Sequence, residues 1–231
     1  TTGLCAPCPR TEPPDNTNRS PIVPKLEYFY AAHSAYAYLG SQRLMDIAKA
    51  ANVEIIHRPY DLRRGMAGIG SSLIRERSSQ HRAYFFKREI QRWSEERNAP
   101  IISYRPTHHD NDITLPNCVL IACQTKGQNI DGLAHAMLQA HWRDDADLAD
   151  GATLADLADG LGLDGAALLA EAAAAAVLSA YEANTNEAIE RYVIGSPTYF
   201  VDGDMFYGQD RLEMVERALK KPYAGEWPIE T

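Results

Sequence analysis

Cys5 and Cys8 stand three apart as Cys-Ala-Pro-Cys, the spacing of a pair that cycles between dithiol and disulfide. Such a pair works between a strand and a following helix, whereas here Pro-, Thr- and Asn-rich residues surround it. A reactive or metal-binding pair stays open; an incidental pair fits the surroundings better. Cys118 and Cys123 lie five apart in an apolar run and read as buried thiols. His108-His109-Asp110-Asn111-Asp112 gathers metal-ligand types, but its spacing fits no helical metal motif, so a solvated loop is the expectation. Ser34 lies where a strand runs into a helix. A serine there caps the helix with its side-chain oxygen. The same helix end carries free N–H groups and positive partial charge, which stabilise a thiolate. No cysteine lies near Ser34 to supply one. His33, beside it, could act as a base, though a histidine next to a cap is more often incidental.

These groups sit in a chain of 231 residues, long enough for one domain with an insertion or for two small ones. Apolar residues make up 45% and charged residues 23%, which excludes collagen-like, disordered and disulfide-scaffold chains. The net charge of −8 argues against nucleic acid and against an anionic membrane as partners. No stretch reaches the ~18 consecutive apolar residues of a membrane span. Four cysteines are too few for a stapled secreted fold, and residues 1–24 lack the apolar core of a secretory signal, so the cytoplasm is the expected compartment.

The elements follow from periodicity and punctuation. Residues 25–31 read as a strand, 35–51 as a helix capped by Ser34, and 53–58 as a second strand stopped by Pro59. A Gly-rich connection at 65–72 leads to a long helix at 79–97. Residues 117–125, 132–142, 153–161, 164–178 and 181–192 read as helices. Two short strands, 198–201 and 204–207, flank Asp202-Gly203, a hairpin signal. Asp210 then caps a last helix at 211–219, with Glu213 completing a capping box. The expected fold is therefore α/β. Residues 1–24 form an irregular arm, 25–62 and 193–222 one domain, and 63–192 a helical insertion.

The order β-α-β, helices, Pro-β-β-α is the thioredoxin arrangement, in which the first helix end faces a proline opening the third strand. That proline is Pro197, expected in the cis form. A thiolate site without a cysteine suggests that the thiol arrives with a ligand, and glutathione is the candidate.

Tyr28-Phe29-Tyr30, Ser34-Ala35-Tyr36-Ala37-Tyr38-Leu39, Asp61-Leu62, Gln91-Arg92-Trp93, Gly195-Ser196-Pro197-Thr198 and Gly208-Gln209-Asp210-Arg211 occur in one order along the chain. In that order the chain resembles the 2-hydroxychromene-2-carboxylate isomerases, relatives of the kappa-class glutathione transferases and, more distantly, of DsbA. It differs from the usual pattern at Ala31, Ala35 and Gly70-Ser71. The resemblance implies a glutathione-dependent isomerase of aromatic degradation, acting as a homodimer on a small aromatic carboxylate. It implies Ser34 as the catalytic residue, and Ser34, Ser196, Pro197, Gln209, Asp210 and Arg211 as glutathione contacts. Asn117, otherwise read as a second cap, would lie near the substrate with Tyr36, Tyr84 and Trp93, and Arg63 would attract an acidic substrate. Two rivals are a kappa-like glutathione transferase and a DsbA-like redox or peptide-binding protein using Cys5 and Cys8.

Overall fold

The computed structural model describes residues 24–71, 76–225 and 227–228; Cys5, Cys8 and all of the arm except Pro24 lie outside the described residues. β1 (Leu26–Tyr30) is buried along its whole length, so it must be a central strand. It pairs in parallel with β2 (Ile55–Pro59), Leu26 opposite Ile55 and Tyr30 opposite Pro59. Its other edge pairs antiparallel with β3 (Thr198–Val201), which continues through Asp202-Gly203 into β4 (Asp204–Tyr207). The sheet order is β2-β1-β3-β4. α1 (Ala35–Ala51) crosses between the parallel strands and ends at Asn52 in the left-handed conformation. α10 (Leu212–Lys220) packs beside α1.

Between β2 and β3 the chain forms helices, with differences from the sequence reading that have local causes. The segment expected as a Gly-rich connection begins as a helix, α2 (Leu62–Gly68), because Asp61 caps it by accepting from Arg64 N. Gly65 lies so close to the Tyr60 ring that a Cβ there would come within 2.8 Å of it. The helix expected at 79–97 forms as α3 (Ser79–Ala83), a π-helical turn at Tyr84–Glu89, and α4 (Ile90–Glu96). α5 (Thr114–Thr125) starts ahead of Asn117 and takes Pro116 into its first turn, where a missing N–H costs nothing. Asn117 is therefore not a cap. α6 (Asp131–Asp144) and α7 (Gly151–Asp159) follow. The alanine run expected as one helix breaks between α8 (Gly165–Ala172) and α9 (Ala175–Glu190), with a 70° bend. Helix propensity favours continuation, but α8 packs on α5 and α7 while α9 turns to α5, α2 and β2. Among the described residues no single helix is long and apolar enough to cross a membrane.

The helices join the sheet through buried polar side chains. Asn184 Nδ2 donates to the Pro59 carbonyl at 3.0 Å, and Thr185 Oγ1 accepts from Asp61 N at 3.1 Å. Asn117, fully buried, accepts from Ala32 N at 3.1 Å and donates to the Tyr60 carbonyl at 3.2 Å. It thus ties α5 to the loops leaving both parallel strands. Asn117→Ala leaves that N–H and that carbonyl unpaired out of reach of water, each costing about 1–3 kcal/mol. Urea unfolding should show a stability loss of about 2–6 kcal/mol, and a loss under about 1 kcal/mol would show the joint is not needed.

Candidate active site

The end of β1 and the start of β3 meet at the first turn of α1. Ser34, 8% exposed, has extended backbone and caps α1 as expected, its Oγ accepting from Ala37 N at 3.3 Å. The same hydroxyl donates to the Ser196 carbonyl at 3.1 Å. Ser196 Oγ accepts from Ala31 N at 3.1 Å. The two loops are cross-braced through two serines. The Ser196–Pro197 peptide is cis, as the sequence suggested. Gly195 lies under the Tyr207 ring, where a Cβ would come within 2.5 Å.

Around this end the expected site residues separate. Tyr36 Oη donates to the Phe85 carbonyl at 2.6 Å and fastens the π-helical turn to α1. Tyr84, 50% exposed on that turn, carries Arg92 over its ring. Trp93 is half-buried against the core, with the Arg97 guanidinium 5.2 Å from its ring centre. Gln209 is buried and accepts from Arg97 at 3.0 Å, so it serves as a brace rather than an open ligand contact. Asp210 is not the expected helix cap. It stands in a 3₁₀ turn at Gln209–Arg211, and α10 begins without a side-chain cap. Its exposed carboxylate pairs with Arg211. The turn that carries it packs against α1, and burial chiefly, with the charge of Asp210 adding, pushes up the hydroxyls of Tyr36 and Tyr207. Asn117, with no exposed surface, lies beneath the site and does not line it.

The loop read as solvated is instead part of the wall. Arg63, exposed on α2, donates to the carbonyls of His109 at 3.3 Å and Asn111 at 3.4 Å. His109 turns inward, its ring 4.8 Å from that of His33 and 5.3 Å from those of His141 and Trp142. Trp142 Nε1 donates to the His33 carbonyl at 2.9 Å. His33 is 6% exposed, and its Nδ1 has no hydrogen-bond partner among the described residues. Burial holds all three imidazoles below their ordinary range, His33 far below and His109 down to about 3. His141 carried no signal in the sequence; only the turn of α6 brings it to His109. Cys118 and Cys123 are buried thiols as expected, burial pushing Cys118 up to about 11. No group of three or more His, Cys, Asp or Glu among the described residues could hold a metal ion.

This geometry is that of a thioredoxin-type domain whose helix end carries Ser34 and meets the cis-proline loop with no cysteine of its own segment. A DSBA-like thioredoxin domain model matches residues 25–220, and the chain belongs to that family. It is 26% identical to a 2-hydroxychromene-2-carboxylate isomerase of Pseudomonas putida over 196 residues, covering 84% of this chain and 93% of the relative. A solved 2-hydroxychromene-2-carboxylate isomerase superposes with a TM-score of 0.71 at 26% identity, over 85% of this chain and 94% of that one. A probable DsbA oxidoreductase from Streptomyces coelicolor shares the fold, with a TM-score of 0.67 at 19% identity over 90% and 93% of the chains. The resemblance read from the sequence is borne out.

The histidine wall makes stability depend on pH. The unfolded chain takes up protons on these histidines as pH falls below about 6.5, while the native state, with depressed values, does not. Stability is therefore whole above that pH and falls towards acid, by up to about 1.4 kcal/mol per unit for each histidine. Guanidinium unfolding should give lower stability at pH 5.5 than at pH 7.5, with a smaller difference in His109→Gln. Equal pH dependence in the two proteins would refute the assignment.

Proposed function

We propose that this chain is a glutathione-dependent isomerase that interconverts 2-hydroxychromene-2-carboxylate, or a substituted analogue, with trans-o-hydroxybenzylidenepyruvate. The observation that carries the reading is the helix end braced against the cis Ser196–Pro197 loop, with Ser34 rather than a cysteine at its first turn. The names and the coverage of the relatives support it. The residues fit glutathione in chemistry. The first turn of α1 offers unpaired N–H groups to a thiolate, and Asp210, freed from capping, offers a carboxylate to an ammonium. When bound, glutathione supplies a thiolate that adds to the conjugated carbon, lets the former double bond rotate after ring opening, and leaves unconsumed.

Ser34 has one hydroxyl proton, and it now lies on the Ser196 carbonyl. Holding a thiolate means turning that proton from the carbonyl to the sulfur. Arg63, exposed above the His109 loop, is the cation that would draw in the substrate carboxylate. Tyr36 and Tyr84 supply aromatic surface at the edge of the α1 end.

Isomerisation followed by absorbance should vanish in a gel-filtered, glutathione-free sample and return when glutathione is added. Serine at all four cysteine positions should leave it intact. Full activity without glutathione sinks the reading, and accumulation of a glutathione conjugate would mark a transferase. In Ser34→Ala, losing a charge-assisted bond worth about 1.5–3 kcal/mol should raise the bound thiol pKa by about 1–2 units. Loss of the cap should cost only about 1 kcal/mol of stability. Thiolate absorbance titrated against pH checks this, and an unshifted curve removes Ser34 from the chemistry.

A further inference from the structure

We propose that His109 is the proton-transfer base of this site, held by His141 in the tautomer whose Nε2 accepts. The inference rests on the isomerase reading above. The Ala146 carbonyl can only accept, so His141 Nδ1, 3.0 Å from it, carries a proton. Neutral His141 then has its lone pair at Nε2. His109 Nδ1, 3.0 Å from that atom, must donate to it. The His109 lone pair is left at Nε2, and no group among the described residues hydrogen-bonds that nitrogen.

Position agrees with tautomer. The His109 ring lies 4.8 Å from that of His33, the chain neighbour of Ser34, so it stands at the junction of β1 and α1. Trp142 meets it edge-on, and the Arg63 bond to its carbonyl fixes the loop. The buried Nδ1 of His33 is a second polar atom on the same wall with no partner among the described residues. The charged and titratable groups facing His109 are His33 from the β1–α1 loop, Arg63 from α2, His141 from α6, and Arg105 and Asp110 from its own loop. Burial opposes a positive charge on its ring most, followed by His141, Arg105 and Arg63, whereas Asp110 favours one. An incoming carboxylate also favours it, so the base strengthens when an anionic substrate is bound.

The proton balance closes. In the ring form the substrate is a cyclic hemiketal. Its hydroxyl proton moves to His109 Nε2, the hydroxyl carbon becomes a ketone, and the ring C–O bond breaks with its electron pair on the phenolic oxygen. The imidazolium returns its proton to that oxygen, and no oxidant or reductant enters.

Two measurements test this. Long-range proton–nitrogen NMR of the glutathione-free protein should show His109 and His141 both protonated at Nδ1; an Nε2–H tautomer for His109 overturns the proposal whatever the enzyme catalyses. In His109→Ala, kcat should fall roughly 10²–10⁴-fold with glutathione affinity unchanged, and added imidazole should restore turnover. His109→Gln, closer in size, should show the same loss without rescue. Undiminished turnover in His109→Ala, or a loss that imidazole does not relieve in a folded, glutathione-binding protein, overturns the assignment while wild-type turnover keeps the isomerase reading. An inactive wild type overturns both.

Discussion

The carboxamide of Asn117 offers one acceptor and two donors where water does not reach, and the rest of the structure hangs from the places it uses them. Its oxygen takes the N–H of Ala32, two residues before Ser34, and its nitrogen holds the carbonyl of Tyr60, just past β2. The same nitrogen lies 3.5 Å from the Tyr181 hydroxyl on α9. Irregular backbone leaving two parallel strands must find partners for its polar groups, or burial there becomes unfavourable. One side chain from α5 meets that demand and so sets the helices against the sheet. Asn117, expected near the substrate, here serves as the joint between α5 and the loops leaving both strands.

Above that joint the site is built from short polar links across loops distant in the chain. Ser34 and Ser196 each bond the backbone of the other's loop, so neither the helix end nor the cis-proline turn can shift alone. The opposite wall is made of neutral imidazoles, His33, His109 and His141, beside Trp142. Burial suppresses their charge. The positive character of the site is then left to the α1 dipole and to the Arg63 guanidinium. Such a site attracts an anion without carrying imidazolium of its own.

Local rules and tertiary demands part company at identifiable residues. The alanines around 173 have the highest helix propensity available, yet Ala174 is extended because α8 and α9 serve different neighbours. Asp210 has the type and spacing of a cap, but a 3₁₀ turn at Gln209–Arg211 puts it outside α10. The π-helical turn at Tyr84–Glu89 has no mark in its composition; its tie to α1 runs through the Tyr36 hydroxyl.

By itself the sequence determined the order of the strands along the chain, the helix at 35–51, the hairpin at Asp202-Gly203, the cap at Ser34 and the cis turn at Pro197. Each of these rests on a few neighbouring residues whose backbone preferences agree. It also marked the absence of a cysteine in the residues that form the helix end, where Ser34 stands instead. Only the tertiary structure decided what the long-range polar groups do. His109 and His141 lie 32 positions apart, and Asn117 lies 85 from Ala32. Nothing local pairs them, because a hydrogen bond of that span exists only after the packing of α5 and α6 has brought its ends together.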